Sequence, residues 1–150
     1  VAFEADGGGP QWLRVAVCTW NLHGKETPDD LSPWLRSSGD SGGGGSSSPV
    51  DLYAIGTQEA QRGIEASVLL PSKAKWLAKV TEALGAGYSC LGSQTLAAIH
   101  LVLFVRTALL ARVTDVQVAH VATGIGGVVG NKGGVAVGLR ATHDARVPVR

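Results

Sequence analysis

Three short segments of this sequence carry side chains that could hold a divalent cation or a phosphate group. Asn21 ends one apolar stretch, Glu59 follows a second one, and residues 124–134 form a glycine-rich segment. An amide oxygen beside a carboxylate suits Mg²⁺, a hard ion that binds through oxygen and usually keeps several of its waters. Asn and Glu after a strand are also typical of ordinary turns and caps, so each residue taken singly leaves both interpretations open.

The glycine-rich segment could cradle an anion, and it ends in Gly-Asn-Lys-Gly-Gly at residues 130–134. Glycine leaves backbone N–H groups accessible, while Lys132 and the amide of Asn131 add donors and a positive charge. A nucleotide-binding Walker loop is excluded because Asn131 precedes the lysine and Gly133 replaces the required Ser or Thr. A dinucleotide fingerprint is excluded because Val129 stands where its third glycine should be. A glycine-rich hairpin with an exposed lysine remains the alternative.

Two predicted strands would position the first two segments. Residues 12–20 and 50–57 are apolar with little alternation, which predicts buried strands, the first of them central in its sheet. Residues 29–36 can form a short helix between them. A crossover that contains a helix lets two strands run parallel, so Asn21 and Glu59 should lie side by side at one sheet edge.

The rest of the chain predicts a mixture of helix, strand and loop. An amphipathic helix is expected over residues 72–84, and three strands in an antiparallel run are expected over residues 88–96, 99–106 and 110–119. A further strand, over residues 135–140, leaves the glycine-rich segment. Residues 37–49 are almost entirely Ser and Gly, which predicts a flexible insertion within one domain, and residues 1–11 are expected to be a loose lead-in.

Composition narrows the possible functions. An apolar content of 45% favours a globular domain, and a net charge of +1 from 13 basic and 12 acidic residues gives no reason to expect nucleic acid as a partner. Cys18 and Cys90 lie in apolar stretches without metal-ligand spacing, which predicts buried, reduced thiols and a cytoplasmic location. The apolar run at residues 101–105 is far shorter than the roughly 20 residues of a membrane-spanning helix.

Taken together and in this order, the three segments resemble the amino-terminal motifs of the inositol polyphosphate 5-phosphatases, within the endonuclease/exonuclease/phosphatase superfamily. The resemblance covers about residues 12–140, and residues 130–134 form its most specific motif. The matching segments are Thr19-Trp20-Asn21, Asp51 through Glu59, and Gly124 through Val137.

The resemblance implies an α/β fold, a two-sheet sandwich like that of DNase I, of which residues 1–150 would supply about the first half of a catalytic domain. It also implies Mg²⁺-dependent removal of the 5-phosphate from phosphatidylinositol phosphates or soluble inositol polyphosphates, with peripheral contact to membranes. Carried over by position, Asn21 and Glu59 would be catalytic and would bind Mg²⁺. Asn131 and Lys132 would bind the substrate phosphate.

Departures from the family pattern leave alternatives open. Thr57 stands where many members have Phe, and His23 stands where small or amide residues are common, so the resemblance supports no role for either residue. His23 could contact phosphate, or it could be a solvated loop histidine. His100 alternates within an apolar strand, as a core or interface histidine would. The family's later Asn-x-His, Gly-Asp-x-Asn and Ser-Asp-His segments have no counterpart, so we expect this chain alone to be inactive and poorly folded. A nuclease of the same fold, or a non-catalytic domain that binds phosphoinositides or a protein partner, is the alternative.

Overall fold

The structure is a computed structural model that describes residues 2–5, 8–37, 49–59, 66–124 and 132–142. Its strands are β1 (Ala2–Ala5), β2 (Gly8–Trp12), β3 (Val15–Asn21), β4 (Leu52–Gln58), β5 (Tyr88–Leu96), β6 (Ile99–Arg106), β7 (Val113–Ala122) and β8 (Gly133–Ala141). Its helices are α1 (Ser32–Ser37) and α2 (Ala66–Leu84), with a 3₁₀ helix at Thr107–Arg112. No helix in these ranges is long and apolar enough to cross a bilayer.

The main sheet has four strands in the order β3, β4, β6, β5. β3 and β4 run parallel, as predicted, with α1 in the connection between them. β6 pairs antiparallel with both β4 and β5. This topology brings the carboxyl ends of β3, β4 and β5 to one edge of the sheet, together with the start of β6.

The predicted first strand differs from the observed one in extent and in position. Residues 12–20 divide between β2 and β3, and β2 pairs with β1 in a hairpin, so the expectation of a loose lead-in is wrong. The expectation of a central strand buried on both faces is also wrong. β3 is an edge strand in which Ala16 and Cys18 are buried while Val15 and Val17 are exposed.

The hydrophobic core lies between the main sheet and the two helices. Ile55, Val102 and Phe104 fill the sheet side of this core, and Trp76 and Val80 fill the side of α2. Each of these five side chains is at most 2% exposed. Fully burying such a side chain contributes about 1.5–3 kcal/mol. The apolar positions of α2 therefore anchor the helix to the face on which β3 and β4 bury their alternate residues.

The second sheet consists of β7 and β8, which pair antiparallel and pack on the opposite face of the main sheet. The predicted antiparallel run therefore stops at β6, because the 3₁₀ helix redirects the chain and β7 finds its partner beyond the glycine-rich segment. Residues 125–131 of that segment lie outside the described residues. The two sheets meet closely at Gly92, where an added Cβ would lie 3.4 Å from Val116 and 3.7 Å from Val137.

Coverage by the second sheet decreases across the main sheet. Val17, Ala54, Leu103 and Gly92 are successive register partners and so share one face. Gly92 contacts the second sheet and Leu103 is 6% exposed, whereas Ala54 is half-buried and Val17 is 77% exposed. The β3 side of this face is open to solvent.

Asp51 joins three strands at the edge of the sheet opposite to Glu59. Its Oδ2 accepts the backbone N–H of Arg14 at 3.0 Å, and its Oδ1 lies 2.8 Å from Nη2 of Arg106. Its own backbone N–H donates to the carbonyl of Arg14, and its carbonyl accepts from the N–H of Arg106, both at 2.8 Å. Because Asp51 is only 8% exposed, these contacts fix β3, β4 and β6 in register at that end.

The two cysteines differ in environment. Both are free, but only Cys18 is buried as predicted. Cys90 is exposed, so the prediction of a buried thiol is wrong for this residue. It precedes the register shift between Cys90 and Gly92, where β5 departs from regular pairing with β6.

We predict that Gly133→Ala destabilises the protein by about 2 kcal/mol or more. Gly133 has a φ of +153°, and an added Cβ would overlap the carbonyl oxygen of Val121 and a methyl group of Leu96. Gly134→Ala is the matched control, because nothing lies within 4 Å of its Cβ position. Urea unfolding of the full-length protein with each substitution measures the difference, and equal stability of the two would contradict this packing role.

Candidate functional site

The parallel pairing of β3 and β4 aligns the polar residues at their ends. Asn21 is the register partner of Gln58, and Glu59 follows directly. The backbone N–H of Leu22 donates to the carbonyl of Gln58 at 2.9 Å, and that of Gly24 donates to the carbonyl of Glu59 at 2.8 Å. The segments that leave the two strands are therefore hydrogen-bonded to each other. This confirms the predicted placement of Asn21 and Glu59 at one edge.

His23 lies beside Glu59. The sequence alone left the role of His23 open. Its backbone N–H donates to Oδ1 of Asn21 at 2.8 Å, and its Nδ1 lies 3.6 Å from Oε2 of Glu59. The His23 and Glu59 side chains are 81% and 31% exposed. Both residues adopt left-handed backbone conformations, with φ of 49° and 53°. Residues held in such conformations often occur at functional sites.

An aromatic cluster supports the end of β3 from the helix side. The rings of Trp20 and Trp34 meet edge to face with centroids 5.2 Å apart, and Trp34 lies 6.1 Å from Trp76. These three side chains connect β3, α1 and α2. Aromatic pairs of this kind contribute about 0.5–1.5 kcal/mol beyond the area they bury.

Lys79 holds the loop that follows Asn21. Its Nζ donates to the carbonyls of Thr27 at 2.9 Å and Pro28 at 3.1 Å, and to Oδ1 of Asp29 at 2.9 Å. The hydrogen bond and charge of Lys79 hold the pKa of the Asp29 carboxyl below its ordinary value. The loop is thus tied to α2 as well as to β4.

The pairing of β4 with β6 and of β6 with β5 extends this end of the sheet toward the glycine-rich segment. Thr57 is the register partner of His100, and Leu96 is that of Ile99. The Leu96 side chain then meets the backbone of Gly133 at the start of β8. Asn21, Glu59 and Gly133 therefore lie at the same end of the strands.

The structure describes one of the two residues that were predicted to bind phosphate. Lys132 is exposed just before β8, and its carbonyl accepts the backbone N–H of Thr123 at 2.8 Å, which closes the base of the segment. Asn131 lies outside the described residues. Their roles in phosphate binding stay predictions.

His100 belongs to the core beneath this edge. It is 6% exposed, and its Nδ1 lies 2.6 Å from Oγ1 of Thr95. Burial lowers the pKa of His100 below its usual 6.5, and the nearby charge of Lys73 lowers it further, against a hydrogen bond with the backbone of Gln94 that raises it. Burial and a lowered pKa together are typical of a core histidine.

The donor set at the edge fits a hard cation. Asn21 offers an amide oxygen and Glu59 a partly exposed carboxylate, and Mg²⁺ commonly uses one or two such protein ligands and completes its shell with water and phosphate oxygens. Within the described ranges, no three His, Cys, Asp or Glu side chains group as a metal site. A cation bound at this edge would therefore depend on few protein ligands.

Sequence reasoning missed the proximity of His23 to Glu59. The available signal was the spacing, since an Asn side chain often accepts the N–H two residues later and turns the chain. The direction in which His23 then points follows from its left-handed φ, which no pattern in the sequence specifies.

Comparison with known proteins gives consistent matches. The model of the family described as Endonuclease/Exonuclease/phosphatase family 2 matches residues 18–147. Phosphatidylinositol 3,4,5-trisphosphate 5-phosphatase 2B of Danio rerio is 34% identical over 134 residues, which cover 85% of this chain and 10% of that protein. Type II inositol 1,4,5-trisphosphate 5-phosphatase of Mus musculus is 34% identical over 131 residues, which cover 85% of this chain and 12% of that protein.

A solved structure with a similar fold is the inositol polyphosphate 5-phosphatase domain of SPsynaptojanin in complex with inositol (1,4)-bisphosphate and a calcium ion. It matches 85% of this chain with a TM-score of 0.66 and 25% sequence identity. The expected two-sheet α/β sandwich is thereby confirmed. This chain spans 36% of that domain structure and about a tenth of the relatives named above.

We predict that His100 makes stability depend on pH below neutrality. In the unfolded chain the histidine pKa is near the usual 6.5, so this imidazole takes up a proton at a higher pH than it does in the folded protein. The free energy of unfolding therefore falls as the pH drops below about 6.5. The fall ends below the lowered folded pKa. Urea unfolding between about pH 7.5 and pH 5 should show a smaller pH dependence for His100→Gln. An unchanged slope in His100→Gln would contradict the assignment.

Proposed function

Because the chain belongs to the endonuclease/exonuclease/phosphatase family, we propose that its protein is a Mg²⁺-dependent phosphatase that removes the 5-phosphate from phosphorylated inositol head groups. The observation that carries this proposal is that Asn21 and Glu59 lie together at the end of β3 and β4, the same end of the strands at which Leu96 contacts Gly133. The named relatives are inositol phosphate and phosphoinositide 5-phosphatases, which supports this choice over a nuclease.

Each residue of the proposed site has a separate role. Glu59 and Asn21 would hold Mg²⁺, and the backbone hydrogen bonds from Leu22 and Gly24 keep the ends of β3 and β4 together. Bound Mg²⁺ supplies charge neutralisation on the phosphoryl oxygens and on the leaving oxygen. Lys132 and Asn131 bind the phosphate and orient it, Lys132 with its ammonium and Asn131 with its amide.

The substrate class follows from the same chemistry. A ring phosphate offers the anionic oxygens that Lys132 and the glycine-rich backbone suit, whether the inositol is free or part of a lipid. The names of the relatives include both kinds of substrate. We propose a cytoplasmic protein that makes peripheral contact with membranes when the substrate is a lipid.

We predict that Glu59→Ala in the full-length protein lowers Mg²⁺-dependent phosphate release from a 5-phosphorylated inositol substrate by about 100-fold or more, because a metal ligand is lost. Glu82→Ala, which alters an exposed carboxylate on α2, is the control and should keep wild-type activity. Equal activity of the two variants would refute the role of Glu59. Head-group binding without any turnover by wild type would favour the non-catalytic alternative.

We also predict that the 150-residue chain alone releases no measurable phosphate. It contains no Ser-Asp-His segment to supply the general base that the family resemblance implies, and positioned proton transfer typically contributes 10²–10⁴-fold. The open face at Val17 also leaves the fold incompletely covered. Mg²⁺-dependent turnover by the purified chain would show this prediction to be wrong.

A further inference from the structure

The His23 imidazole and the Glu59 carboxylate face each other across a gap that suits a bound ion. Nδ1 and Oε2 are 3.6 Å apart, which is too long for a good hydrogen bond. Two ligands that each bind one metal at about 2.1 Å are separated by about 3.0–3.4 Å, depending on the coordination angle. A shift of a few tenths of an ångström would let both atoms bind the same ion.

The backbone around His23 is fixed before any ion binds. The N–H of His23 donates to Oδ1 of Asn21 at 2.8 Å, and the next residue, Gly24, donates to the carbonyl of Glu59 at 2.8 Å. Lys79 holds the same loop from α2. Because the loop backbone is tied on both sides, only the side-chain torsions of His23 remain to be ordered when an ion binds.

The chemistry of the three side chains differs from that of an all-oxygen site. Asn21 and Glu59 offer oxygen, which hard ions prefer, whereas imidazole nitrogen suits borderline first-row ions such as Zn²⁺. The carbonyl oxygen of Asn21 has a second lone pair beyond the one used by the His23 N–H. The imidazole of His23 would therefore add a nitrogen donor beside the carboxylate of Glu59, in a loop whose backbone is hydrogen-bonded to Asn21.

We propose that His23 is a third ligand, through Nδ1, of the cation site formed by Asn21 and Glu59, and that it gives this site a selective affinity for Zn²⁺ over Mg²⁺. This proposal rests on the metal site of the proposed function. Mg²⁺ binds through the two oxygen ligands alone, and Zn²⁺ recruits the imidazole in addition. Zn²⁺ therefore competes with Mg²⁺ at the same place.

Calorimetric titration of the full-length protein with Zn²⁺ and with Mg²⁺ tests the proposal. His23→Asn is the informative variant, because Asn tolerates a left-handed φ and the side chain is exposed, so the fold is retained. We expect His23→Asn to weaken Zn²⁺ binding by about tenfold or more and to change Mg²⁺ affinity less than about twofold. His120→Asn, at an exposed histidine on β7, is the matched control and should leave both affinities unchanged.

X-ray absorption at the zinc edge supplies a readout that is independent of activity. Imidazole scattering should be present in the wild-type and His120→Asn proteins and weaker in His23→Asn. Unchanged Zn²⁺ affinity or unchanged scattering in His23→Asn would overturn the proposal. The variant Glu59→Gln distinguishes failure of the His23 proposal from failure of the metal site itself. If it abolishes Mg²⁺ binding while His23→Asn has no effect, only the role of His23 fails, whereas full Mg²⁺ and Zn²⁺ binding by Glu59→Gln would refute the metal site itself.

Discussion

The parallel register of β3 with β4 is the constraint on which the rest of the site depends. Asp51 fixes it at one end through Arg14 and Arg106, and backbone hydrogen bonds to Gln58 and Glu59 fix it at the other. A slip of one residue would reverse which side chains face the helices and would separate Asn21 from Glu59. The buried carboxylate at one edge thus sets the geometry of the polar groups at the other, a full strand length away.

The sequence predicted the parts of the fold that depend on the order of residues along short segments. The strand and helix order from β3 to β6, the parallel pairing across α1 and the antiparallel pairing of β5 with β6 follow from short connections and general handedness rules. The edge position of β3 was missed, because an unbroken apolar stretch does not reveal which face the rest of a protein covers. The partner of β7 was missed because its pairing with β8 spans the glycine-rich segment, and pairing at such separation depends on tertiary packing.

The sequence predicted the site about as completely as it predicted the fold. Asn21 and Glu59 were found because parallel strands end at the same edge, so sequence order alone gave their proximity. Their role as metal ligands still rests on donor chemistry and family resemblance. The proximity of His23 to Glu59 was not predicted, because it requires two left-handed residues and an Asn-capped turn to occur together. Such conformations are chosen by the packing of the whole loop rather than by residue type.

Gly133 shows how a sequence signature can outlast the activity with which it is associated. The most specific motif of the chain includes a glycine whose small size is required by Val121 and Leu96, in the contact between the two sheets. Selection for a stable fold alone would preserve this residue in a descendant that had lost catalysis. Mutational drift at Asn21, Glu59 and Lys132 would therefore be a better record of lost enzymatic function than the glycine beside them.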